Sequence, residues 1–231
     1  MLKLVDISFS FGAVQALDSV TMELEPGQVT CIIGRNGVGK TTLMRTIMGT
    51  YKASQGGLWL GNDELTQLPA YKRAKAGLAL VPQGREIFPK LTVLENLMVG
   101  LQGRSDGKRT IPEDIYDMFP VLKEMSHRRG GDLSGGQQQQ LAIGRALASD
   151  PKVLLLDEPT EGIQPNIIQA IGEVLKQLAH ERNMTVVLVE QYLDFVREVG
   201  DHFHVMSRGS VAASGTTAEL SDELIAEYLS V

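Results

Sequence analysis

Short apolar runs alternate along the chain with segments whose apolar positions recur at helical spacing, and this alternation predicts an α/β fold. Gln28–Ile33 (QVTCII) predicts a buried strand that leads through a glycine-rich turn into a helix over Thr42–Met48. Leu78–Val81, Val153–Leu156 and Thr185–Val189 are apolar almost without interruption, the pattern of parallel strands covered on both faces. The first 25 residues and Gly57–Leu65 predict exposed strands and hairpins instead. Leu4, Ile7 and Phe9 there sit among polar residues, and GLWLGND ends in the turn-forming Gly61-Asn62-Asp63. From about Gly84 to Asp132 helical patterns take over, at Val93–Leu101 and Glu113–Glu124, with Gly103–Thr110 (GRSDGKRT) as a surface loop. The expected plan is one domain over 1–231. A helical subdomain at 84–144 is inserted into a core built from 1–83 and 145–231. The chain closes with a strand and a helix after Gly209, where Thr216 and Glu219 are spaced as a capping box.

Composition narrows this picture. With 231 residues, 43% hydrophobic and 22% charged, the chain is ordinary globular material rather than a disordered one. Its 22 Lys+Arg against 28 Asp+Glu give a net charge of −6, which argues against a nonspecific nucleic-acid binder. One cysteine, Cys31, excludes an intrachain disulfide framework or a multi-cysteine zinc site and fits a reducing compartment. No run approaches the roughly 18 apolar residues of a membrane span, and MLKLVDISFS meets Asp6 before a secretory apolar stretch develops. The expectation is a soluble, cytoplasmic chain that leaves any membrane work to partners.

The candidate chemistry begins at Gly34-Arg35-Asn36-Gly37-Val38-Gly39-Lys40-Thr41, which fits GxxxxGK[ST] between a strand and a helix. Glycines let the backbone curl so that successive N–H groups face phosphate oxygens, and the next helix adds its positive end. Lys40 would set a point charge on the β- and γ-phosphates, and the Thr41 hydroxyl would ligate Mg²⁺. Asp157 and Glu158, at the end of an apolar strand, supply a metal-binding carboxylate and a candidate general base; two acids capping a strand is the plainer reading of that pair taken alone.

Leu133-Ser134-Gly135-Gly136-Gln137 lies 20 residues before Asp157. In that order with the phosphate loop and the Asp-Glu strand end, it resembles the ATP-binding cassette family, and the likeness covers essentially the whole chain. The resemblance implies a P-loop NTPase (RecA-like) core with an N-terminal antiparallel β subdomain and an inserted helical subdomain. It implies nucleotide contacts from Phe11, Arg35, Asn36, Gly37, Val38, Gly39, Lys40, Thr41 and Thr42, with Phe11 stacking on adenine. It places Thr41, Gln83 and Asp157 around Mg²⁺, and Gln83, Lys40, Glu158 and Gln191 among the catalytic groups. Leu133, Ser134, Gly135, Gly136 and Gln137 would act on the ATP of a second cassette packed head-to-tail. Gly162–Pro165 takes the position of the loop that follows the catalytic acid.

One position departs from the family pattern. Where a histidine usually follows the last core strand, this chain has Gln191. Glutamine donates a hydrogen bond but cannot become a cation, so it either substitutes adequately or tunes the site differently. His127, His180, His202 and His204 fall elsewhere and read as surface or packing residues. Val189-Glu190-Gln191 resembles the second of two paired ATPase subunits in importers for branched-chain amino acids and for urea or short amides. Asp157–Pro165 (DEPTEGIQP) is worded more like the urea type.

What the resemblance implies is an ATP-hydrolysing importer subunit, peripheral on the inner face of the cell membrane. Its expected partners are a second ATPase subunit, or a second copy when isolated, and two transmembrane permease subunits. A solute-binding protein would act indirectly, and no nucleic acid is expected. Arg85–Pro89 would pass motion to the permease. A P-loop kinase would explain Lys40 and Asp157 but leave LSGGQ and Gln83 without a purpose. A soluble cassette in translation or DNA repair would need a second phosphate loop or long heptad arms, and neither is in the sequence.

Overall fold

The computed structural model describes residues 1–229. In chain order its N-terminal part runs β1 (Leu2–Phe11), β2 (Val14–Leu24), β3 (Val29–Ile33), α1 (Lys40–Met48), β4 (Gln55–Leu60), β5 (Asp63–Glu64), α2 (Ala70–Ala76) and β6 (Leu78–Val81). Helices follow at α3 (Val93–Gly100), α4 (Asp114–Met118), α5 (Pro120–Glu124) and α6 (Gly135–Leu147). The chain returns with β7 (Val153–Asp157), α7 (Pro165–His180), β8 (Thr185–Val189), α8 (Leu193–Val199), β9 (His202–Ser207), β10 (Ser210–Thr216) and α9 (Asp222–Tyr228).

Two sheets result. One is antiparallel, in the order β2-β1-β4-β5; the other has the order β10-β9-β3-β8-β7-β6 and is parallel except at β10. The apolar runs of β3, β7 and β8 are buried at every position, because alternate residues serve two different cores. Cys31, Leu154, Leu156, Val186 and Leu188 face α6, α7 and α8. Ile32, Leu155, Val187 and Val189 face α1 and the antiparallel sheet. Helices cover one face and a second sheet the other, and the site is built at the strand ends.

Several expectations are corrected. The N-terminal strands are exposed on one face only: Leu2, Leu4, Ile7, Leu17, Val20, Met22 and Leu24 are buried under the second core. The Glu113–Glu124 pattern forms two short helices, because Pro120 lacks an N–H and bars helical geometry at Phe119, whose φ and ψ are −133° and 74°. Thr216 and Glu219 do make a capping box, with Glu219 accepting from the Thr216 N–H at 2.7 Å. It caps only a 3₁₀ turn at Thr217–Glu219, and α9 takes its cap from Ser221. Within the 103–110 loop, Arg104 is buried and paired with Asp106 and Asp150. The expected subdomain limit at residue 144 falls inside α6, which continues unbroken to Leu147.

The helical part is held together at one close crossing. A methyl placed on Gly100 would lie 2.1 Å from the Arg145 carbonyl oxygen, so α3 meets α6 nearly backbone to backbone there. Gly100→Ala is expected to push the helices apart and destabilise the fold by roughly 1–3 kcal/mol, as overpacking of a tight core does. Thermal unfolding measures this; a midpoint equal to wild type would show that the crossing has slack.

Candidate active site

A cleft of about 800 Å³ opens at the carboxyl ends of β3, β6, β7 and β8, the edge where open parallel sheets hold ligands. A second cleft of about 760 Å³ lies at the opposite strand ends, beside Lys152 and Thr185. Two of its cations, Arg104 and Arg182, are already neutralised by Asp106, Asp150 and Asp114. Chemistry therefore favours the first cleft.

Its floor is the loop from Gly34 to Gly39. Gly39 has φ 108°, and a methyl on it would sit 2.5 Å from the Ala16 carbonyl oxygen. Gly34, with φ 156°, would bring a methyl equally close to the Met206 carbonyl. Both the left-handed conformation and the contact require glycine. The loop is thus pressed between β2 and β9 and delivers α1 with its N-terminal amides toward the cleft. Lys40 begins that helix, and its ammonium donates to the carbonyls of Gly34 at 2.6 Å and Arg35 at 3.0 Å. Burial lowers the Lys40 pKa, while the carboxylates of Glu158, Asp157 and Glu190 pull against that shift.

The acids come from β7. Asp157 ends the strand with 2% exposure, and its Oδ1 has no hydrogen-bond partner among the described residues. Burial raises its pKa, offset in part by the Thr41 hydroxyl and the Lys40 ammonium. An orphaned carboxylate oxygen beside a threonine hydroxyl fits a hard, oxygen-liganded cation such as Mg²⁺. Glu158 follows in the left-handed region, φ 49°, which an ordinary residue occupies at a cost of about 1–3 kcal/mol. That turn lifts its carboxylate into the cleft. Gln83 donates to Glu158 at 3.0 Å and to Glu161 at 3.2 Å, while Gln191 donates to Glu158 and, at 2.7 Å, to Asn36.

Phe11 forms the outer wall, 49% exposed and edge-on to Phe9 and Tyr51 at 4.8 and 5.3 Å. Of the residues expected to touch nucleotide, Phe11, Asn36, Gly37, Gly39, Lys40, Thr41 and Thr42 line the cleft. Arg35 and Val38 do not: Arg35 lies on the far side of the loop near Leu193 and Ile225, and Val38 packs against the second core. Asp157 lies beneath the surface rather than in the lining. Leu133–Gln137 are also absent from the lining; there Ser134 caps α6 in a capping box with Gln137. Phe88 is 45% exposed with the Arg145 guanidinium 5.2 Å above its ring, and Asn96 fixes its backbone through two hydrogen bonds.

Sequence reasoning missed several contributors, among them Tyr51, Thr160, Glu161, Glu190 and Tyr192. Glu190 had a legible signal, a charged residue directly after the apolar run Val186–Val189. Tyr51 had none, since it meets Phe9 and Phe11 only through the fold.

The family described as ABC transporter matches residues 17–161. The chain is 41% identical to the high-affinity branched-chain amino acid transport ATP-binding protein BraG of Pseudomonas aeruginosa, over 95% of this chain and 94% of that protein. It is 34% identical to a probable branched-chain amino acid transport ATP-binding protein, LivF, of Archaeoglobus fulgidus, over 95% and 94%. Among solved structures, an ATP-binding cassette of an ABC transporter in its ADP conformation matches with TM-score 0.84 and 33% identity, over 98% of this chain and 97% of that one. A nucleotide-free cassette matches with TM-score 0.81 and 31% identity, over 100% and 95%.

Asp157→Asn removes a buried charge whose surroundings compensate it incompletely. The nucleotide-free protein is expected to gain about 1 kcal/mol, a rise in Tm of roughly 2–4 °C for a chain of this length. Calorimetry without nucleotide checks it, and an unchanged or lower Tm would show that the carboxylate is already well satisfied.

Proposed function

The chain belongs to the ABC transporter family of ATP-hydrolysing cassettes, and from that premise we propose that it is the ATPase subunit of an importer for branched-chain amino acids. The observation that carries the mechanistic part is the convergence of Gln83 and Gln191 on Glu158 at the rim of the phosphate-loop cleft. The solute reading is supported by BraG and LivF. The urea-type wording of Asp157–Pro165 remains a likeness of wording alone.

In this mechanism Phe11 offers its exposed ring to the adenine, and Asn36, Gly37, Gly39 and Thr42 surround the phosphates. Lys40 turns from the Gly34 and Arg35 carbonyls to the β- and γ-phosphates. Thr41 and Asp157 would hold Mg²⁺, with Gln83 reaching toward it, and the ion would neutralise charge building on the phosphate oxygens. Glu158 orients a water and takes its proton as the water oxygen bonds to the γ-phosphorus. The bond to the bridging oxygen breaks, ADP carries away that electron pair, and the proton passes on to the released phosphate. Gln191 holds Glu158 from the β8 side by hydrogen bonding alone, without the charge a histidine would add.

The signature residues Ser134 and Gly136 lie at the start of α6, where hydroxyl, amide groups and helix dipole come together, and they do not line the chain's own cleft. Their use is the γ-phosphate of a second ATPase subunit packed head-to-tail, with a second copy filling that place when the chain is isolated. A solved cassette related to this chain, at TM-score 0.82 and 26% identity, is a dimer. The pair would act on two permease subunits at the inner face of the membrane, the binding protein acting through them. The half-exposed Phe88, fixed by Asn96, is the contact we assign to the permease. No helix of the described residues is long and apolar enough to cross a membrane.

Two experiments test this reading. Glu158→Gln should bind ATP and slow turnover in the assembled transporter by about a thousandfold or more, in the range seen when a catalytic group is removed; wild-type turnover would remove Glu158 as the base. For the solute, cells lacking this chain should lose leucine uptake and keep urea uptake, whereas loss of urea uptake alone would reassign the importer.

A further inference from the structure

Glu190 is the least expected residue of the site. It is a carboxylate with 2% exposure, closing a strand whose five residues are otherwise all buried. No ion pair among the described residues involves it. Its oxygens are instead divided between two segments. Oε1 accepts from the Thr160 amide at 3.1 Å and the Thr160 hydroxyl at 2.7 Å. Oε2 accepts from the Gln191 amide at 3.0 Å and from the Tyr192 amide at 3.4 Å. Its own amide donates to the Ile32 carbonyl at 3.2 Å, which anchors it to the strand that feeds the phosphate loop.

The two segments so joined are those that place the catalytic pair. Thr160 lies two residues beyond Glu158, in the turn that opens with the left-handed Glu158 backbone. Gln191 carries the amide that reaches both Glu158 and Asn36. The neighbouring Val189 carbonyl accepts from the Glu158 amide at 2.9 Å, so residues 189 and 190 grip the turn at both of its shoulders. Four donors, all from backbone or hydroxyl, are what a carboxylate needs to stay satisfied in an apolar setting.

We propose that Glu190 is a positioning residue for ATP hydrolysis: its carboxylate ties the Glu158–Glu161 turn to the Gln191 backbone, keeping the Gln191 amide on Glu158. This rests on the reading of Glu158 as the base. The chemistry demands a carboxylate and not merely a polar side chain. An amide has one acceptor oxygen: its NH₂ turned toward Gln191 and Tyr192 faces two N–H groups it cannot accept from, and turned toward Thr160 it loses the bond from the Thr160 N–H and keeps only one donated to the hydroxyl oxygen. Glutamine, though of the same shape, therefore breaks one half of the tie.

The test is a kinetic cycle in the assembled transporter with Glu190→Gln, Gln191→Ala and the double variant. Glu190→Gln is expected to lower kcat about tenfold to a hundredfold, the loss that follows a small misplacement of a catalytic group. KM for ATP should stay within about twofold of wild type, since the bond from Gln191 to the phosphate loop ends on the Asn36 side-chain oxygen and leaves the Lys40 ammonium and the loop's amides in place. The double variant should be no slower than the slower single one, because both changes release the same amide. A kcat for Glu190→Gln equal to wild type, with Gln191→Ala slowed, would overturn the tie. Losses that multiply would overturn it too, by showing that Glu190 acts elsewhere. Wild-type turnover in Glu158→Gln would instead overturn the reading beneath it, and the tie with it. If Glu190→Gln fails to fold, Thr160→Val removes a single donor from the same carboxylate; a several-fold fall in kcat at constant KM supports the tie, and no fall opposes it.

Discussion

The site depends on the register between β7 and β8. Asp157 pairs with Val189 across that ladder, and the next amide, from Glu158, closes onto the Val189 carbonyl. With side chains alternating from face to face, a slip of one residue would send Asp157 into the wrong core and carry Glu158 away from the cleft. The register is secured by burial on both faces of the two strands, so the same apolar residues that stabilise the sheet also fix where the Asp157 and Glu158 carboxylates stand. The unsatisfied Asp157 oxygen and the left-handed Glu158 are tolerated because the other nine buried positions of β7 and β8 hold them in place.

This arrangement explains which parts were legible in the sequence. Four strands of the parallel sheet, β3, β6, β7 and β8, could be read because burial on both faces leaves an apolar run, whereas β9, with His202 and His204 among its residues, was missed; the phosphate loop could be read because its glycines answer local demands at Gly34 and Gly39. The antiparallel strands were half misread. Their alternation of polar and apolar residues was visible, but nothing in it says that Leu4, Leu17 and Val20 close over α1. The break at Pro120 was there to be read and was overridden by a helical periodicity continuing on both sides of it.

The placement of the site was legible where a local motif carries it, as with Lys40, Asp157 and Glu158, which the fold brings to one cleft. It was obscure where the contact joins distant segments. Arg35 and Val38 belong to the motif by position, yet the curl of the loop turns them away from the cleft. Tyr51 supports Phe11 only because β1 and the end of α1 meet in space, and Glu190 is paired with Thr160 across 30 positions of sequence.

The crossing at Gly100 has a mechanical meaning. Backbone touching backbone leaves no side chain to yield between α3 and α6, and Arg145 extends from the same place to the Arg85 and Glu86 carbonyls and over the ring of Phe88. The helix that bears Ser134 and Gly136 and the surface around Phe88 are thereby joined through Arg145, beside a crossing with almost nothing to compress, so a change at Gly100 would alter how the two are held to one another as well as how stable they are.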